Sequence, residues 1–304
     1  MLIPIDRPQT ARKWISAALF SFVLLTVPTR WATAQDLGEA GESFGTIADL
    51  ILPETTQLTL GFGLQHKPDY IGSDEYRVST KEVFFIRYED LFTIDNTGAS
   101  LTLLKILGDI SFGPVVRFES GRKEKRNDAL TGLGNICNSW ELVGFVKANL
   151  WEAAVARARF RWGVSGHEAF LMDLQLSRIM LTDAHWAPLM EKSWAIVANV
   201  NSTYSGGKYA NQFFGITPEQ SLTSGRLPYE IGGGFRDIGG EIVFRWEIGK
   251  RWGLVVSGRY NRLLGAFADS PLVALDGSSN QWRLTTVVTY TFGVTDLKKL
   301  VSPD

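Results

Sequence analysis

Apolar and polar residues alternate along most of this chain with the two-residue period of a β-strand. Residues 152–162 read E-A-A-V-A-R-A-R-F-R-W. In an extended strand the alanines and the aromatic residues lie on one face, and Arg157, Arg159 and Arg161 lie on the other. Several other segments repeat this pattern. The pattern therefore predicts an all-β protein whose strands each have one apolar and one polar face.

The alternating segments and the connections between them predict about twelve strands. The predicted strands lie near 57–66, 79–88, 91–96, 99–107, 109–119, 138–148, 152–162, 169–181, 192–203, 236–248, 251–264 and 281–292. The strands near 91–96 and 99–107 could merge, so the prediction spans ten to fourteen. Tight turns alternate with longer loops, and only the turn at 182–191 is longer than this rule expects. Short turns at one end and long loops at the other are typical of an antiparallel up-and-down transmembrane β-barrel.

Periodicity alone does not tell which face of each strand points outward. In the last strand Trp282, Leu284 and Val288 alternate with Arg283 and Thr289. A soluble barrel of the lipocalin type would have an apolar interior and a charged exterior. The chain contains 10 Trp, 8 Tyr and 18 Phe, and outer-membrane barrels place such side chains in interfacial girdles. We therefore expect the apolar faces to contact lipid, so that arginine impairs assembly at Leu254, Val256 or Val288 and is better tolerated at Thr289.

The N-terminus has the pattern of a secretory signal. Basic residues precede a charge-free, mostly apolar run from Trp14 to Val27, and small residues at 32–34 precede Gln35. This run is shorter than the roughly 20 residues that span a bilayer. The sequence predicts a signal peptide at 1–34, cleavage between Ala34 and Gln35, and localisation to the outer membrane of a Gram-negative bacterium.

Three further segments complete the predicted organisation. A periplasmic lead-in covers 35–56, the barrel covers 57–292, and a periplasmic tail covers 293–304. Barrel precursors commonly end on an aromatic residue that the barrel assembly machinery recognises. Here Phe292 precedes twelve more residues. Phe292 is therefore an internal assembly signal, or the tail is a contact arm in the periplasm.

Composition excludes several classes of function. The formal charge of −1 becomes −4 when residues 1–34, with four basic and one acidic residue, are removed, so nucleic acid is not an expected partner. The single Cys137 cannot form an internal disulfide. With only three histidines, none spaced as i and i+4, the sequence predicts no metal site and no cofactor. Ser165 and His167 do not form a nucleophile elbow, so no catalytic residue is predicted and a hydrolase is the least favoured function.

Four loop segments, in this order and spacing, resemble the MipA/OmpV family. These are P-D-Y-I-G-S-D-E-Y-R at 68–77, G-R at 121–122 followed by L-T-G-L-G at 130–134, Y-A-N-Q-F-F-G-I-T at 209–217, and L-L-G-A-F-A-D-S-P-L-V at 263–273. The candidate residues in these motifs are Tyr70, Gly72, Ser73, Asp74, Gly121, Arg122, Gly215, Asp269, Ser270 and Pro271. The resemblance implies an outer-membrane barrel that is a scaffold for the lytic transglycosylase MltA and a bifunctional penicillin-binding protein. Other members are described as porin-like or osmotically regulated. No partner-binding residue can be transferred.

The loop motifs also have interpretations of their own. Gly72, Ser73 and Asp74 form a turn sequence in which the aspartate can bond its own backbone, and a ligand contact is the alternative. Residues 269–271 are likewise predicted as a turn. The glycines at 232–234 lack the context of a nucleotide site and indicate close backbone packing.

The polar faces of the strands provide candidates for the barrel lumen. These are Arg157, Arg159, Arg161, Glu241, Arg245, Glu247 and Arg259. With Glu141 and Asp173 they could form a salt-bridge network that closes a narrow lumen, or they could line a small aqueous path. The sequence therefore favours a scaffold for peptidoglycan enzymes, and a narrow porin-like channel is the alternative.

Overall fold

A computed structural model describes residues 56–89, 91–107, 109–151, 154–182, 194–249 and 251–293. The predicted signal peptide, nearly all of the lead-in, most of the turn at 182–191 and the tail after Gly293 lie outside these residues. No helix in the described residues is long and apolar enough to cross a membrane.

Thirteen strands in the described residues form one antiparallel sheet. They are β1 (Gln57–Pro68), β2 (Tyr76–Tyr88), β3 (Phe92–Asp95), β4 (Gly98–Leu101), β5 (Leu104–Ile106), β6 (Ile110–Glu119), β7 (Ser139–Trp151), β8 (Ala154–Gly163), β9 (Phe170–Thr182), β10 (Trp194–Ser205), β11 (Gly234–Ile248), β12 (Trp252–Leu263) and β13 (Asn280–Gly293). Consecutive strands pair except β4 with β5, and β1 pairs with β13 from Gln57↔Gly293 to His66↔Leu284. The sheet is therefore a closed barrel.

The short strands β4 and β5 are two halves of one position in the barrel. β4 pairs with β3 and β6, and β5 pairs with β6. Between them the Thr102 amide donates to Leu91 O at 2.8 Å and the Leu103 amide donates to Phe112 O at 2.9 Å. The ladder is interrupted, but these backbone groups stay paired, as a lipid environment requires. The barrel thus has the twelve strand positions predicted, and the segments near 91–96 and 99–107 do not merge.

The outward face of the barrel is apolar. On β13, Val288 has an exposed fraction of 45%, while the neighbouring Val287 and Thr289 have 3% and 2%. Aromatic rings cluster near both ends of this face: Tyr260 and Trp282 have centroids 4.5 Å apart, and Trp252, Tyr290 and Phe292 form a second group. Such a surface is costly in water and favourable in lipid. The apolar faces of the strands therefore point outward, as the sequence predicted.

The interior is not polar throughout, which corrects the expectation of a charged inward face. A layer of buried apolar side chains fills part of the lumen and consists of Val83, Phe85, Val197, Val243, Val255 and Val287. We call this the apolar layer. In 242–243, 255–256 and 287–288 two apolar residues are consecutive, so both faces of the strand are apolar there. Such positions do not alternate, and periodicity does not detect them.

The longer connections at one end of the barrel fold into a cap. This end, the loop end, carries α1 (Gly207–Phe214), α2 (Pro218–Ser224), α3 (Gly265–Ala268), α4 (Pro271–Ala274) and two 3-10 turns, Glu124–Arg126 and Asp128–Leu130. The connections at 69–75, 120–138, 164–169, 206–233 and 264–279 together form the loop cap. The core of the loop cap is apolar and includes Leu130, Tyr209, Phe213, Phe214, Ile231, Phe267 and Leu272. The opposite end is the turn end.

Local signals explain the cap helices. The Thr217 hydroxyl accepts a bond from the Gln220 amide at 3.2 Å, the Gln220 side chain accepts one from the Thr217 amide, and Pro218 occupies the first helical position. This capping box begins α2, and Gly225 ends it in the left-handed conformation (φ 73°). The sequence predicted only loops here, because these helices are short and each lacks a sustained apolar period.

Candidate functional site

An ionic network around Glu141 lies on the inner wall of the barrel near the loop end. Glu141 is fully buried and accepts bonds from Arg161 Nε at 2.8 Å and Nη2 at 2.9 Å. Arg161 also reaches Glu119 at 3.0 Å and Asp173 at 3.3 Å. Arg117 Nε lies 3.6 Å from Glu141. Two arginines therefore share three carboxylates, and these groups join β6, β7, β8 and β9.

His167 extends this network from the loop cap. The Ala169 amide donates to His167 Nδ1 at 3.1 Å, so Nδ1 is unprotonated. His167 Nε2 therefore carries the proton and donates to Glu141 Oε1 at 2.7 Å. The Ser165 hydroxyl accepts the Trp140 amide at 3.0 Å. Serine and histidine are thus engaged with different partners and do not form a nucleophile–base pair.

Further ion pairs line the interior on β11 and β12. Arg259 donates to Glu241 at 2.9 Å, and Arg245 donates to Glu247 at 3.0 Å. Asp237 accepts hydrogen bonds from Arg236 Nε at 2.7 Å and from the side-chain Nδ2 of Asn261 at 2.8 Å. The acidic partners, Asp237, Glu241 and Glu247, all lie on β11. Their positions differ by even numbers of residues, so they share the inward face of this strand.

The lumen candidates named from sequence lie in three environments. Arg161, Glu241, Arg245 and Arg259 are interior and paired as described, whereas the Glu247 side chain is 41% exposed. Arg157 and Arg159 line a cavity. Alternation alone did not identify further charged or polar members of the interior, among them Arg117, Glu119, His167, Arg236 and Asp237. Alternation in β6 could have identified Arg117 and Glu119, which flank Phe118, but nothing in the pattern indicates that His167 folds back from a loop.

Two chambers remain inside the barrel. The turn-end chamber has a volume of about 110 Å³, and its described lining includes six basic and two acidic residues. The loop-end chamber has a volume of about 180 Å³ and lies against the loop cap. Its described lining includes nine basic and four acidic residues. Both chambers therefore carry an excess of positive charge.

The first loop motif fastens the β1–β2 hairpin to the segment before β13 and to the start of β13. The Tyr70 hydroxyl donates to Asp276 O at 3.1 Å, the Gly72 amide donates to the Gln281 side chain at 3.0 Å, and Gln281 Nε2 donates to Ser73 O at 3.0 Å. Gly72 has φ 100°, which requires glycine. The turn bond predicted for Asp74 is made by Ser73 instead, since Ser73 Oγ accepts the Glu75 amide at 3.1 Å and Asp74 is exposed.

The other loop motifs meet at α1. Arg122 Nη1 donates to Phe213 O at 2.7 Å, and Ser270 Oγ donates to Phe214 O at 2.6 Å. These bonds satisfy carbonyl groups at the C-terminal end of α1, and the Gly215 amide donates to Asn211 O.

Three more motif residues shape the chain around these contacts. A Cβ at Gly121 would lie 1.9 Å from Ile136 O, so the backbones approach closely there. Asp269 follows α3 directly, and Pro271 begins α4. Residues 269–271 therefore form the predicted turn, now between two short helices. Of the glycines at 232–234, only Gly233 packs closely: a Cβ there would lie 3.1 Å from Ser205 O, whereas a Cβ at Gly232 would meet nothing within 4 Å.

Burial in the loop cap shifts the pKa of several groups. Desolvation, followed by the nearby carboxylates of Asp276 and Asp74, raises the pKa of Tyr70 to about 12. Desolvation also raises the pKa of Tyr209, and it lowers the pKa of Arg122 to about 10. The cap is therefore a dry environment in which an isolated charge is unfavourable.

Metal binding has little support in the part of the chain that the structure describes. There, no group of three or more His, Cys, Asp or Glu side chains is arranged to hold a metal ion. Cys137 is exposed and has a free thiol.

Comparison with solved structures gives several outer-membrane channels of low similarity. The KdgM porin is 13% identical with a TM-score of 0.42, covering 77% of this chain and 99% of that chain. An outer membrane channel from Pseudomonas putida F1 is 12% identical with a TM-score of 0.37, covering 79% and 97%. The CymD monoaromatic hydrocarbon channel is 9% identical with a TM-score of 0.36, covering 85% and 93%.

Comparison at the level of families is more specific. No curated protein matches the sequence. The model of the family described as MltA-interacting protein MipA matches residues 60–292, which is nearly the whole barrel and all four loop motifs. This chain, an outer-membrane β-barrel protein, therefore belongs to the MipA family.

Proposed function

We propose that this protein is a scaffold that holds peptidoglycan-remodelling enzymes at the periplasmic side of the outer membrane. Its partners are a lytic transglycosylase and a penicillin-binding protein. The description of the matching family as MltA-interacting supports the first partner. The second partner rests on the resemblance of the loop motifs.

The obstruction of the lumen is the observation that carries this proposal. The loop cap covers one end, the ionic network around Glu141 places buried side chains in the interior below it, and the apolar layer fills part of the barrel. Paired arginine and glutamate side chains are held by several bonds each, and moving them apart would leave buried charges without partners. An interior built in this way supports a role in binding rather than in free passage of solutes.

The partners would bind where the chain faces the periplasm. We assign this role to the lead-in at 35–56, the turn at 182–191 and the tail at 293–304. The residue that begins the predicted tail, Gly293, pairs with Gln57 in the barrel wall. The portion of the tail available for a partner therefore starts at Val294.

A narrow channel is the second candidate function. The two interior chambers and their excess of basic residues favour it. A channel would need a continuous path between the chambers, and anions would pass it more readily than cations because of the positive lining.

The decisive experiment is affinity capture from solubilised envelopes with the full chain as bait. Mass spectrometry should find enrichment of a lytic transglycosylase and a penicillin-binding protein. Deletion of 294–304 should weaken the capture and leave the barrel folded. A matched variant carries a Gly/Ser segment of the same length in place of 294–304, which separates the sequence of the tail from its length.

Planar-bilayer recordings provide the opposing test. The scaffold proposal expects no large, stable conductance from the intact protein. Stable conductance together with no enrichment of cell-wall enzymes would instead establish the channel. Capture that persists in both tail variants would move the contact to the lead-in or to the turn at 182–191.

A further inference from the structure

Arg122 is a buried guanidinium group that has no carboxylate partner in the described part of the chain. Its exposed fraction is 6%, and Nη1 donates to Phe213 O at 2.7 Å. Its Nε is buried and makes no hydrogen bond with the described residues. A charge in this position is costly unless an anion compensates it. Burial lowers the pKa of Arg122 to about 10, which is the expected sign for an uncompensated cation.

Arg122 lines the loop-end chamber, whose acidic residues are engaged elsewhere. Each of these carboxylates pairs with another described side chain: Asp69 with Arg77 and Asn127, Glu119 with Arg117 and Arg161, Asp173 with Arg161 and Thr203, and Asp237 with Arg236 and Asn261. Within the described residues, the protein thus supplies charged or polar side-chain partners for its lining carboxylates, but it supplies no carboxylate for Arg122.

The charge of the chamber as a whole has the same sign. Among the described lining residues, nine are basic and four are acidic. A cavity with low-dielectric walls focuses this field and raises the local concentration of anions. A guanidinium group also offers a planar fork of donors that matches the two oxygens of a carboxylate or phosphate group.

We propose that the loop-end chamber binds a small oxyanion, a solute that carries a carboxylate or phosphate group, and that Arg122 is its principal ligand. The volume of about 180 Å³ suits a small solute and excludes a folded polymer. Arg77 and Arg283 on the β2 and β13 walls add positive charge to the same space. This site is independent of any periplasmic partner.

A purely structural role for Arg122 makes a different prediction. Its bond to Phe213 O ties the β6–β7 loop to α1. If that were its whole role, replacement would weaken the loop cap but would not change the response of the protein to anions. Anion binding is therefore the readout that separates the two roles.

The test is isothermal titration of the detergent-solubilised full chain with inorganic phosphate and, separately, with acetate. Ionic strength is kept constant with chloride, because phosphate also stabilises proteins without binding a site. The wild-type protein should bind one anion per chain. Arg122→Gln should weaken binding at least tenfold, and Arg122→Lys, which keeps the charge but not the fork, several-fold.

Arg226→Gln is the matched control. Arg226 also lies in the loop cap and pairs with Asp276 at 2.6 Å, but it does not line the chamber. Its replacement should leave anion affinity unchanged. Binding of phosphate but not acetate would restrict the ligand class to phosphate groups. Binding of both probes would extend the class to carboxylates.

Two results would overturn the proposal: no saturable binding of either probe to the wild-type protein, or equal affinity in wild type and Arg122→Gln. Heat-modifiable gel mobility shows whether each variant has a folded barrel. If Arg122→Gln does not fold, Arg122→Lys decides the matter, because undiminished affinity in that variant would show that the guanidinium group is not the ligand.

Discussion

At the scale of single residues, Glu141 shows how one buried carboxylate organises the lumen. It accepts two bonds from Arg161 and one from His167. The sequence pattern could place Glu141 and Arg161 on inward faces, because each alternates with apolar neighbours. It could not pair Glu141 with His167, because that contact depends on how the β8–β9 loop folds over the barrel end.

Glu141→Gln should destabilise the folded barrel by about 3 to 5 kcal/mol, because Arg161 and Arg117 would lose a buried counter-charge. Unfolding in urea, followed by heat-modifiable gel mobility, measures this change. The control is Lys208→Gln, which removes the exposed pair between Lys208 and Glu168 and should have no measurable effect. Equal stability of Glu141→Gln and wild type would show that the network contributes nothing.

At the scale of elements, alternation identified the strands of the barrel but not the short helices of the loop cap or the apolar layer. Strands that contact lipid on one face must alternate, so their sequences record the direction of each side chain. The valines of the apolar layer sit beside outward apolar residues, as Val287 sits beside Val288, and the pattern is lost. The cap helices are specified by contacts between loops that are distant in sequence, such as Ser270 with Phe214.

Arginine on the lipid face should impair assembly by about 2 to 4 kcal/mol near the midplane of the bilayer. The test positions are Leu254, Val256 and Val288. The sequence predicts that arginine is better tolerated at Thr289, but this inward position offers little room, because Thr289 is 2% exposed and its hydroxyl donates to Gly253 O at 3.3 Å. A better inward control is Thr102→Arg, which faces the turn-end chamber. Equal losses at the lipid-facing and chamber positions in a folding titration would contradict the assignment of faces.

At the scale of the whole molecule, the barrel combines a lipid-facing exterior with an interior that is largely filled. Family membership and closure of the sheet both agree with what the sequence predicted. The signal peptide and the tail lie outside the described residues, so they stay predictions. How the tail binds a partner depends on the surface of that partner, and the sequence of this chain alone does not describe that surface.

The mature protein should begin at Gln35 and fractionate with the outer membrane. The charge-free run at 14–27 and the small residues at 32–34 predict the cleavage. N-terminal sequencing of the membrane fraction checks the start, and a band whose mobility shifts on boiling checks the barrel. A soluble periplasmic form with no shift would contradict both.

The pairing of β1 with β13 has a consequence for how the chain is made. Thr59 and Thr291 meet through their hydroxyl groups at 2.9 Å although 232 positions separate them. Without β13, β1 and β12 each have unpaired backbone groups along one edge, and such edges recruit other chains. Closure of the barrel therefore requires β13, and a chain truncated before Asn280 should aggregate through the two open edges, β1 and β12.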